Sequence, residues 1–136
     1  MNIKKIFRFL RIEVEKLQPS PRAAMISIAH PGQKVNLKEG WEYLLSIRFY
    51  ESECGSLGYR IFTKEDAEKI LQFLKDIPDS VQVLAIHCEA GIRRSGTIAS
   101  VLSEFYDIPL KEKPTDWEDP VIREILTAVL KDGDAK

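Results

Sequence analysis

Cysteine is nearly absent from this chain: Cys54 and Cys88 are the only two in 136 residues. Two thiols exclude a disulfide-stapled fold of the small secreted kind. An excess of charge is missing as well, with 20 Lys and Arg against 21 Asp and Glu and a formal net charge of −1. That balance excludes broad attraction to nucleic acid or to an anionic membrane surface, while allowing one local cationic pocket. Long apolar runs are also lacking, and nothing approaches the roughly 18 residues of a membrane span. The N-terminal stretch from Met1 to Arg11 is interrupted by Arg8 and Arg11 and followed by Glu13, so it does not read as a signal peptide. Its remaining alternative is a basic amphipathic surface helix. No repeat and no low-complexity tract occurs. A cytoplasmic protein without stable membrane association is the expectation.

What is present is a core. Apolar residues make up 44% of the chain, and the length suits one domain over residues 1–136. Strand-like and helix-like patterns alternate. Ala23–Ile28 is short, apolar and preceded by prolines, and Tyr43–Tyr50 is rich in β-formers and runs into a polar loop, 51–58. Thr63–Ile77 reads as a helix, with Thr63 and Asp66 as its start and Ile70, Leu71, Leu74 and Ile77 on one face. Val81–Ile86 reads as a central strand buried on both faces. A loop follows, then a helix from Ser95 to Tyr106 and a last one to Lys131, capped by Asp119 with Pro120 at its first position. The pattern predicts an α/β fold with a central, mostly parallel sheet flanked by helices. Ligands of such sheets bind beyond the C-terminal strand ends, where the loop after Ile86 lies.

That loop reads His87-Cys88-Glu89-Ala90-Gly91-Ile92-Arg93-Arg94-Ser95. The peptide N–H groups of Glu89, Ala90, Gly91, Ile92, Arg93 and Arg94 are candidates to curl around an anion, with Gly91 allowing a tight path. The helix starting near Ser95 aims its positive end at the same spot. Arg94 supplies a planar fork for two phosphate oxygens. Such surroundings favour the thiolate of Cys88, and a thiolate on the floor of an oxyanion cradle is a nucleophile for phosphorus.

These residues resemble the signature of the cysteine-dependent protein tyrosine phosphatase superfamily, His-Cys-x-x-Gly-x-x-Arg-Ser/Thr. His87, Cys88, Gly91, Arg94 and Ser95 meet its specified positions. The compact length is similar to small dual-specificity or bacterial members. The resemblance implies a phosphatase-like fold and hydrolysis of phosphotyrosine in proteins or peptides, with phosphoserine and phosphothreonine as further candidate esters. It implies a phosphocysteine at Cys88, phosphoryl binding by Arg94 and the loop amides, and assistance from Ser95 when the intermediate is hydrolysed. His87 would orient the loop without donating a proton. No cofactor, no metal and no nucleic-acid partner is implied.

The family's general acid, an aspartate roughly thirty to forty residues before the cysteine, is missing. The first aspartate of the chain is Asp66, 22 residues before Cys88, at a helix start. Glu51 and Glu53 lie 37 and 35 residues before Cys88, in the polar loop. Glu51 is the first choice for the acid, because the resemblance to bacterial phosphatases implies an acid just after an Arg-Phe strand end such as Arg48-Phe49, and Glu53 is the second. Trp117-Glu118-Asp119-Pro120 has the wrong order for an acid loop and is read as a helix cap. Cys54 is a candidate resolving partner for Cys88, although a bland thiol is the simpler reading. His30 reads as a turn residue, and Arg93 either as a substrate contact or as a solvated charge. Trp41, Trp117, Tyr43 and Tyr106 read as packing. The competing functions are a phosphoinositide or RNA 5′-phosphatase, a phosphate-binding pseudophosphatase without an efficient acid, and a sulfur-transfer or arsenate-reducing enzyme.

Overall fold

In the computed structural model, which describes residues 1–90 and 92–134, four strands form one parallel sheet. They are β1 (Lys5–Leu10), β2 (Ala23–Ala29), β3 (Leu44–Arg48) and β4 (Val83–Cys88), in spatial order β1-β4-β2-β3. Every pairing is parallel, with β4 in the middle between β1 and β2. The helices are a single turn, α1 (Arg11–Val14), and the longer α2 (Lys64–Asp76), α3 (Arg94–Tyr106) and α4 (Pro120–Asp134). A 3-10 turn covers Ser52–Leu57.

The pleat sorts the two central strands. Ile26 and Ile28 of β2, with Leu84, Ile86 and Cys88 of β4, join the main core with Ile70, Leu74, Ile98, Leu102, Ile122 and Leu126 of α2, α3 and α4. Met25 and Ala85, on the alternate positions, pack instead with Val14 of α1 and with Phe9, Leu17, Leu37 and Trp41. The long helices therefore cover one face, and α1 with the 30–41 segment covers the other. Cys88 projects to the helical side and His87 to the opposite one.

Local chemistry sets the helix starts. Thr63 accepts from the Asp66 backbone N–H, and the Asp66 carboxylate accepts in return from the Thr63 N–H at 3.0 Å. Asp119 caps α4 by accepting from the backbone N–H groups of Val121 (3.1 Å) and Ile122 (3.4 Å). β4 runs on through Cys88 rather than ending at Ile86, and α4 continues to Asp134.

The structure settles the N-terminus, for which the sequence leaves a surface helix as one alternative. Residues 5–10 form an edge strand, not a surface helix, because they pair in parallel with Val83–Cys88. The outer edge of β1 is covered in turn: Ile6 donates to the Pro109 carbonyl, and Lys111 donates to the Ile6 carbonyl. Among the described residues no helix is long and apolar enough to cross a membrane.

Candidate active site

β4 carries the nucleophile candidate to the C-terminal edge of the sheet, and α3 begins six residues later. Cys88 is only 2% exposed and forms part of the floor of a cleft of about 480 Å³. Its Sγ lies 3.1 Å from Ser95 Oγ, and the Ser95 backbone N–H donates to it at 3.5 Å. Two groups from the first turn of α3 thus point at the sulfur, together with the positive end of the helix.

Arg94 is buried in the wall of the same cleft. Its Nη1 donates to the Phe49 carbonyl at 2.9 Å, which holds the side chain against the end of β3. Its Nε faces Glu51 Oε1 at 3.3 Å. Glu51, one residue before the 3-10 turn, is thereby brought to Arg94 and lines the cleft. Of the two sequence candidates for a proton donor, Glu51 is the one that faces the pocket.

Glu53 is differently placed. Both of its carboxylate oxygens accept from Arg93, and this hydrogen bonding lowers its pKa to about 2. Glu53 is thus committed to Arg93 and does not line the cleft. Arg93 is correspondingly engaged rather than a free solvated charge, with its guanidinium 4.9 Å from the centre of the Trp117 ring.

His87 is fully buried beneath the loop, its Nε2 2.7 Å from Ser27 Oγ on β2. Burial lowers its pKa from 6.5 to about 4, so the ring is neutral at physiological pH. Glu89 lines the cleft and is held by Arg11 and Gln33, accepting from both at 2.7 Å. Ala90, Ile92 and Arg93 complete the loop side of the cleft. Gly91 lies outside the described residues.

The sequence reading missed two cleft residues. Trp117 is 65% exposed and lines the cleft with His30, which stacks on Tyr50 at 5.2 Å between ring centres. A solitary tryptophan in a segment without periodicity carries no mark distinguishing a rim from a core. Cys54 and Cys88 are both free thiols. Among the described residues no group of three or more His, Cys, Asp or Glu is arranged to hold a metal ion. A larger groove, about 700 Å³ between α2 and α4, is lined by Lys, Glu, Gln, Asp and apolar residues, with no cysteine, serine or histidine among the described residues. Comparison with family models, with curated proteins and with solved structures returns no match to this chain.

Proposed function

We propose that this chain is a cysteine-based phosphatase acting on phosphotyrosine in proteins or peptides, of the protein tyrosine phosphatase type. The observation that carries the reading is the convergence on one cleft floor of Cys88 Sγ, the Ser95 hydroxyl at 3.1 Å and the buried Arg94 fork. A nucleophile, a hydroxyl to stabilise it as leaving group and a bidentate oxyanion ligand are what phosphoryl transfer through sulfur requires.

The chemistry follows from those positions. A phosphate monoester entering the cleft takes the Arg94 fork in place of the Glu51 carboxylate. Cys88 thiolate attacks phosphorus, the ester P–O bond breaks, and Glu51 in its protonated form gives its proton to the departing oxygen. Water then attacks the phosphocysteine and gives up a proton to the Glu51 carboxylate. The P–S bond breaks and releases phosphate, and Ser95 stabilises the returning thiolate. His87, neutral and sealed under the loop, packs beneath the cradle and takes no part in proton transfer. Aromatic residues at the rim, His30 and Trp117, suit an aryl ester better than a small alkyl one.

Hydrolysis of 4-nitrophenyl phosphate tests the reading. Activity that survives EDTA, is blocked by vanadate and disappears in Cys88→Ser is the expected result. Tight phosphopeptide binding without turnover would instead make the chain a phosphate-binding module.

A further inference from the structure

The segment that carries Glu51 is anchored on both sides of the cleft. Ser52, the next residue, donates from its backbone N–H and its hydroxyl to the Asp119 carboxylate, at 2.9 and 2.6 Å. Asp119 is fully buried, and its own N–H donates to Thr97 Oγ1 at 2.8 Å. The Thr97 hydroxyl in turn donates to the Arg93 carbonyl at 2.6 Å, which leads back into the cysteine loop. Glu53, one residue further, grips the Arg93 guanidinium with both oxygens, and Trp117 lies over that guanidinium. The backbone around Glu51 is also tied locally, with Cys54 N–H donating to the Glu51 carbonyl at 3.0 Å and Tyr50 N–H to the Arg60 carbonyl at 2.8 Å.

We propose that Glu51 is carried by a fixed loop rather than a closing lid, and that Ser52 and Glu53 are the positioning residues that set it, through Asp119 and Arg93. The inference rests on the phosphatase reading above and names what holds its acid. With the backbone tied to Asp119 at the start of α4 and to Arg93 at the end of the cysteine loop, only the Glu51 side chain has to rotate, between Arg94 and the ester oxygen. The two anchors are separate contacts, Ser52 to Asp119 at the start of α4 and Glu53 to the Arg93 guanidinium, and the first also reaches the Arg93 carbonyl through Thr97. A local 3-10 turn alone would leave the acid's distance from the sulfur unset. Placement matters because a proton donor contributes only within hydrogen-bond reach of the leaving oxygen.

Paired esters test this. Phenyl phosphate has a basic leaving group that needs the proton, whereas 4-nitrophenyl phosphate leaves readily without it. Kinetic constants for both are measured on the wild-type chain and on Ser52→Ala, Glu53→Gln and Glu51→Gln. Each positioning variant is expected to lose about tenfold or more in kcat on phenyl phosphate, with KM unchanged and about twofold or less lost on the nitrophenyl ester. Glu51→Gln should show the same selectivity more strongly. Equal losses on the two esters in Glu51→Gln, or in both positioning variants, would overturn the proposal while leaving the phosphatase reading intact, as would no loss in either positioning variant. A wild-type chain that turns over neither ester would overturn the phosphatase reading itself. Because the two anchors are separate, a folding defect in one variant leaves the other to decide.

Discussion

Burial decides the ionisation of His87, and with it part of the chain's response to acid. The ring is fully buried against Ser27 and its pKa falls from 6.5 to about 4. Between those values the unfolded chain binds a proton that the folded chain refuses, so stability is complete above about pH 7 and is lost as pH falls toward 4. The difference corresponds to roughly 3 kcal/mol by pH 4. Glu15, Glu53 and Glu89, all held below the usual carboxylate range by hydrogen bonds, add their own loss, but only below about pH 4.5. Urea unfolding from pH 7 to pH 4.5 should therefore show a decline that His87→Gln removes. An unchanged pH dependence in that variant would assign the acid sensitivity elsewhere. The Arg93–Glu53 pair is a different case: Glu53 is 64% exposed, so its depressed pKa reports geometry more than stability.

Elements here are set by short-range chemistry at their ends and long-range pairing in their middles. The Thr63–Asp66 box starts α2, and Thr63→Ala should lower unfolding free energy by about 1 kcal/mol in urea titration, with activity kept. No change would mean that packing of Ile70 and Leu74 alone determines where the helix begins. This box was legible in the sequence because both partners lie within one turn. So was the buried strand before Cys88, whose apolar run leaves no room for a polar face. β1 was not legible. Lys5-Ile6-Phe7-Arg8-Phe9-Leu10 carries basic residues among apolar ones, and its extended state comes from pairing with Val83–Cys88, far along the chain. The same distance hid the Ser52–Asp119 and Arg93–Glu53 contacts. Each reading of those residues alone, as cap, loop charge or solvated arginine, captured only what local sequence encodes.

Across the whole molecule, four parallel strands place one loop and one helix start at the C-terminal sheet edge, where Cys88, Arg94 and Glu51 line one cleft. The motif residues could be named in advance because their chemistry depends on fixed spacing within nine positions. Local sequence ranked Glu51 before Glu53 but could not show which of the two carboxylates the folded chain turns toward Arg94. The account as a whole requires that sulfur, and no other atom, receive the phosphoryl group. The direct measurement is rapid acid quench of the chain with excess 4-nitrophenyl phosphate, followed by peptide mass spectrometry. One added phosphoryl group on the peptide containing Cys88, absent in Cys88→Ser, is the predicted result. Turnover with no modified Cys88, or with phosphate found on another residue, would contradict it.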